Sequence, residues 1–133
     1  MTILLVDDDE GNKKLFLESA REVDNNINCV ATANGQEALL YLKNTENAIP
    51  EFIFLGIRMP GLDGRQCLKE IKRDARLKSV PVIIYTTSRD ARDSVELKML
   101  GAVHFMSKPV SPDDVYYLLS VALGQNWDLK KSK

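Results

Sequence analysis

The sequence predicts an α/β fold in which a five-stranded parallel sheet is covered by helices on both faces. Short apolar runs alternate five times with stretches whose apolar residues recur at helical spacing. The runs are almost continuous hydrophobes, as expected of strands buried on both faces. The chain of 133 residues, 44% hydrophobic and 28% charged, is large enough for one domain with a core of its own.

The first strand is Ile3-Leu4-Leu5-Val6, stopped by the acids Asp7 to Glu10. Leu15, Phe16, Ala20 and Val23 then keep a helical period. A second strand spans Ile27–Thr32, and Asn34 with Glu37 forms a capping box for a helix carrying Ala38, Leu39 and Leu42 inward. Phe52-Ile53-Phe54-Leu55 is the third strand, followed by a loop rich in Gly and Pro from Gly56 to Gly64. The next helix places Gly64, Leu68, Ile71 and Ala75 on one face. Pro81 to Thr86 is the β-branched fourth strand, and Ala91, Val95 and Met99 mark a fourth helix closed by Gly101. Val103 to Met106 is a short fifth strand. Ser111-Pro112 supplies an N-cap and first-turn proline for a last helix with Val115, Leu118, Leu119 and Ala122 inward. The expected division is a domain over residues 1–124 and a short polar tail over 125–133, with no output domain in the sequence.

Composition excludes several function classes. A net charge of −1 gives no long-range attraction to nucleic acid or an anionic membrane. Cys29 and Cys67 form no CxxC pair and His104 is the sole histidine, which excludes a structural zinc site. Both cysteines read as small buried hydrophobes, and His104 as a strand-edge residue. The apolar runs are far too short to span a bilayer and no leader is read. The expectation is a soluble cytoplasmic protein without nucleic-acid or membrane partners. Trp127 is expected to pack back on the last helix. The basic row Arg65, Lys69, Lys72, Arg73 and Arg76 reads first as a solvated face and second as a docking stripe for an acidic partner.

Ligand chemistry in such a sheet gathers at the carboxyl ends of the strands. Strand one ends in Asp7-Asp8-Asp9-Glu10, strand three in Gly56, strand four in Thr86-Thr87-Ser88 and strand five in Ser107-Lys108-Pro109. Acids supply hard oxygen ligands for Mg²⁺, while a hydroxyl and an ammonium hold phosphoryl oxygens.

In Ile3-Leu4-Leu5-Val6-Asp7-Asp8, Met59-Pro60-Gly61-Leu62-Asp63-Gly64, Pro81-Val82-Ile83-Ile84-Tyr85-Thr86 and Lys108-Pro109 the chain resembles the receiver domain of two-component response regulators, from Thr2 to about Gly124. The resemblance implies a flavodoxin-like, doubly wound sheet of order 2-1-3-4-5 with five helices. It implies that Asp7 and Asp8 are the acidic pair of a Mg²⁺ site, completed by the main-chain carbonyl of Arg58. Thr86 matches the switch hydroxyl, Lys108 the lysine that pairs with a phosphoryl oxygen, and Phe105 the switch aromatic. The implied signalling surface is the fourth helix, fifth strand and fifth helix (Asp90–Leu100, Val103–Met106, Pro112–Leu123). Implied partners are a histidine kinase, a phosphotransfer protein or another receiver, and the domain is not expected to be an enzyme.

The departure is Gly56, which stands where the family's phosphoacceptor aspartate belongs. Acyl-phosphate formation needs a carboxylate nucleophile, and glycine has none. The same absence removes a metal ligand, so weakened Mg²⁺ binding is expected. Lys108 is then free to pair with the remaining acids, and the domain is expected to hold one fixed signalling state. A second reading of Gly56 is a glycine that merely permits a turn. A third is an ordinary phospho-accepting regulator whose acceptor was substituted, or replaced by a neighbouring acid such as Asp8 or Asp9. A different class, a haloacid-dehalogenase-like phosphatase, would use Asp7 and Asp9 with Thr86 or Ser88 and Lys108. Against it, no acidic pair ends the fourth or fifth strand. A flavodoxin is set aside because its phosphate would meet Asp7 to Glu10.

Overall fold

The computed structural model describes residues 1–124 apart from 60, 62, 88, 89 and 110. Among them strands and helices alternate: β1 (Thr2–Val6), α1 (Glu10–Val23), β2 (Asn28–Thr32), α2 (Gly35–Lys43), β3 (Phe52–Leu55), α3 (Gly64–Arg73), β4 (Val82–Thr86), α4 (Ala91–Met99), β5 (His104–Ser107) and α5 (Pro112–Gly124). The five strands form one sheet in the order β2-β1-β3-β4-β5, every pair parallel. This is the expected flavodoxin-like topology.

Alternate strand residues point to opposite faces, so each strand feeds two cores. Leu4, Val6, Ile53, Leu55, Val82 and Ile84 pack under α2, α3 and α4. Ile3, Leu5, Phe54, Ile83 and Tyr85 pack under α1 and α5, meeting Phe16, Val115 and Leu119. On that second face Phe16, Phe54 and Tyr85 form an edge-to-face trio with centroids 4.9, 5.4 and 6.5 Å apart.

Helix starts follow the capping rules. Asn34 Oδ1 accepts the Glu37 N–H while Glu37 Oε1 accepts the Ala33 N–H, so the capping box forms with Glu37 reaching one residue further back than usual. Asp9, Asp63 and Asp90 cap α1, α3 and α4, and Ser111 Oγ accepts the Asp114 N–H at the head of α5. Gly101, at φ +117°, ends the α4 turn in a conformation that side chains rarely adopt.

Four expectations are corrected. Ile27 precedes β2, its N–H held by the Asp24 carbonyl in a turn. Pro81 precedes β4, though its carbonyl accepts the Ile53 N–H. Val103 likewise precedes β5, its N–H on the Val82 carbonyl, and the strand runs on through Ser107. Ala75 does not continue the buried face of α3: the helix stops at Arg73, Asp74 Oδ1 takes the Arg76 N–H, and Leu77 fills the core instead. The row Ala91-Val95-Met99 of α4 faces solvent, with Met99 83% exposed, and Leu97 is the residue α4 buries. Trp127 and the rest of 125–133, and Ser88, lie outside the described residues. No helix among the described residues is long and apolar enough to cross a membrane.

The basic row of α3 serves the fold at two of its members. Lys72 Nζ donates to the Lys78 and Val80 carbonyls at 3.1 and 2.9 Å, and its burial pulls the ammonium below its usual pKa. Arg65 turns to carboxylates of α4. Lys69, Arg73 and Arg76 are the exposed remainder.

Candidate functional site

Parallel register brings the strand ends together. The Val6↔Leu55 and Leu55↔Ile84 pairings set the ends of β1, β3 and β4 side by side, and Thr86↔Ser107 adds β5. Gly56 follows β3 directly, its N–H on the Val6 carbonyl at 2.9 Å, which sets it beside Asp7. Thr86 is buried at the end of β4, and its carbonyl accepts the Lys108 N–H at 2.6 Å.

Asp7 is 1% exposed, and a carboxylate so buried needs compensation. Its Oδ1 accepts the Asp9 N–H at 2.9 Å, an Asx turn that leads into the α1 cap. Its Oδ2 lies 2.8 Å from Lys108 Nζ. That contact is an ion pair without an aligned hydrogen bond, so Oδ2 is compensated by charge. Lys108 therefore reaches the acid the sequence left for it. Its ammonium stands 5.7 Å from the centre of the Tyr85 ring, within cation–π range. Burial, then the Asp7 charge, pushes the Tyr85 phenol up to about 12. Sequence reasoning missed Tyr85 as a support for Lys108, because a strand residue between Ile84 and Thr86 reads as core.

Gly56 is not a glycine the backbone requires. Its φ lies outside the left-handed region, and a Cβ there would meet Val6 O at 3.1 Å and the Met59 Sδ at 3.7 Å. A Cβ would press on that carbonyl by a few tenths of an ångström, but the backbone conformation is one any residue adopts, which removes the turn-permitting reading. Gly64 is the opposite case. A Cβ there would overlap the Gly56 carbonyl oxygen and come within 2.7 Å of Ile57 Cα, so α3 starts directly against the backbone of the site.

The remaining candidates are peripheral. Asp8 and Arg58 are exposed. Asp90 is held below the usual carboxylate range by hydrogen bonds to Arg92 and, more weakly, by the Arg58 charge. Phe105, half-buried on β5 opposite Ile84, packs on the core beneath α2, α3 and α4. Asp9 commits Oδ1 to the Asn12 N–H of α1.

These donors do not fit a divalent cation as they stand. Both oxygens of Asp7 are engaged, Gly56 contributes no carboxylate, and Asp8 alone is left as an open carboxylate of the pair. Among the described residues no three His, Cys, Asp or Glu side chains converge on a metal position.

The family described as the response regulator receiver domain matches residues 3–120. Response regulator Rre1 of Synechocystis sp. is 32% identical over 118 residues, 86% of this chain and 48% of Rre1, so the chain spans about half the length of that relative. The crystal structure of the phosphorylated cyanobacterial phytochrome response regulator RcpA superposes with a TM-score of 0.84 at 26% identity, covering 91% of this chain and 89% of that one. The bacteriophytochrome response regulator AtBRR gives 0.76 at 29% identity, covering 98% and 97%.

Proposed function

Since the chain belongs to the response regulator receiver domain family, we propose that it is a receiver whose acceptor position is Gly56, and that it signals through protein contacts without taking up phosphate. Two-component signal transduction is the setting of the family. The observation that carries the reading is the place of Gly56, beside Asp7 at the end of β3, where the backbone conformation does not call for glycine and the sequence supplies no carboxylate.

Around that position Thr86 and Lys108 are the supporting hydroxyl and ammonium, Phe105 the switch aromatic, and Asp7, Asp8 and the Arg58 carbonyl what is left of a Mg²⁺ site, weakened to the point that it does not fill while Lys108 holds Asp7. Residues 1–124 are the receiver and 125–133 a tail. The domain acts in the cytoplasm and catalyses no reaction of its own. Its signal leaves through α4, β5 and α5 toward a histidine kinase, a phosphotransfer protein or another receiver. The support for that face is its apolar surface: Val95 and Met99 on α4 and Tyr117 on α5 are 60%, 83% and 58% exposed. The names of RcpA and AtBRR favour a phytochrome-type sensor upstream.

Intact mass after incubation with acetyl phosphate and Mg²⁺ tests the reading, with Gly56→Asp in parallel. The expected result is a phosphoryl adduct on the variant alone. An adduct on the parent chain would assign acceptance to a neighbouring acid and overturn it.

A further inference from the structure

We propose that Lys108 is the resident cation of this site: its tethered ammonium neutralises Asp7 where a divalent metal would otherwise do so, and thereby keeps metal out. The inference rests on the receiver reading of the pocket and deepens it from a missing acceptor to a site closed by its own side chain.

The argument starts from Asp7. Its carboxylate is buried, and Oδ2 receives no hydrogen bond among the described residues. The Lys108 ammonium at 2.8 Å supplies the compensation. Lys108 is itself held on three sides, by its N–H on the Thr86 carbonyl, by the Tyr85 ring and by Asp7, and its side chain is only 12% exposed. Gly56 offers no second carboxylate to draw the ammonium away.

A divalent cation held by both acids, Asp8 and Asp7 Oδ2, would have to take Oδ2 from Lys108. It would then stand against a positive charge in a poorly hydrated setting, with one carboxylate fewer to offset it. Mg²⁺ also gives up its water reluctantly and favours near-octahedral oxygen, which Asp7 and Asp8 alone do not provide. A tethered ammonium needs neither rearrangement nor dehydration on each encounter. The end of β5 is thus fastened to the end of β1 at any Mg²⁺ concentration.

Lys108→Met, Lys108→Arg and the parent chain are titrated with Mn²⁺, following free Mn²⁺ by electron paramagnetic resonance, and melted with and without Mg²⁺. Lys108→Met is expected to bind Mn²⁺ about ten-fold more tightly than the parent, or better. Its melting temperature should rise with Mg²⁺, because a ligand of the folded state stabilises it. The parent and Lys108→Arg should melt independently of Mg²⁺. Equal Mn²⁺ affinity in Lys108→Met and the parent would overturn the proposal. Should Lys108→Met not fold in metal-free buffer, folding restored by Mg²⁺ supports it and no restoration overturns it. A parent that stays free of phosphate yet binds Mn²⁺ as tightly as Lys108→Met sinks the resident cation alone. A parent that gains phosphate sinks the acceptor reading, and the Mn²⁺ comparison still decides the role of Lys108.

Discussion

Arg65 on α3 holds Asp93 on α4: its Nη2 lies 2.7 Å from Asp93 Oδ1, and its Nε donates to Glu96 one turn further along. Because α4 buries only Leu97, this fork is a main tether of the helix. The groups are partly exposed, so Arg65→Ala is expected to cost roughly 1 kcal/mol or less in global stability. Local exchange should respond more: amide hydrogens of Ala91–Met99 are expected to exchange faster in the variant, with a smaller difference at high salt. Unchanged exchange across α4 would remove Arg65 as its tether.

Gly56→Asp is expected to fold, because the backbone there is in a conformation open to any residue and the Val6 carbonyl, 3.1 Å from the new Cβ, need yield only a few tenths of an ångström. The added carboxylate beside Asp7 and Asp8 is expected to lower stability in metal-free buffer by about 1–2 kcal/mol through like-charge repulsion. Mg²⁺ should restore it. Urea melts of parent and variant at two Mg²⁺ concentrations measure both effects, and a variant indifferent to Mg²⁺ would contradict the metal argument.

Gly64→Ala has no such latitude, because its Cβ would overlap backbone atoms of Gly56 and Ile57. A loss of about 3 kcal/mol or more is expected, at the upper end of overpacking costs. Denaturant midpoints for Gly64→Ala and Gly11→Ala give the comparison. Gly11 Cβ would meet only the Asp9 carboxylate, at 3.3 Å.

Alkaline pH should weaken the fold. Burial pushes the Cys29 and Cys67 thiols up to about 12 from an ordinary value of 9.0. Above pH 9 the unfolded thiols release protons that the folded ones keep, so the unfolded state binds fewer protons and stability falls with rising pH. The expected slope between pH 9 and 12 is about 1.4 kcal/mol per pH unit for each thiol, as an upper bound. Tyr85 steepens it above pH 10. Stability in urea measured from pH 8 to 10.5 checks the slope, and Cys67→Ala should flatten it.

The strands were legible because burial on both faces writes itself as unbroken apolar runs, Ile3–Val6 and Phe52–Leu55 foremost. Helix starts were legible because caps are local: Asn34 and Glu37 act within one turn. The face of α4 was not, since a period locates a stripe without saying on which side the neighbours stand. Val95 and Met99 were thus readable as a row but not as solvent-facing. At the site, Asp7, Gly56, Thr86 and Lys108 could be gathered from strand ends alone. The Asp7–Lys108 contact was anticipated from charge. The Tyr85 ring beside it and the ordinary backbone conformation of Gly56 depend on backbone placement, which residue types do not carry.

Lys108 also ends the β4–β5 ladder, donating to Thr86 immediately after the Thr86↔Ser107 rung. β5, like β2 at the opposite edge, has a single neighbour in the sheet, and a strand in that position is free to peel away or to accept a foreign strand. The side chain of the same residue pairs with Asp7, which follows β1, two strands further in than β4. The outermost strand is therefore laced to the centre of the sheet, and the site doubles as a stitch against fraying at that margin.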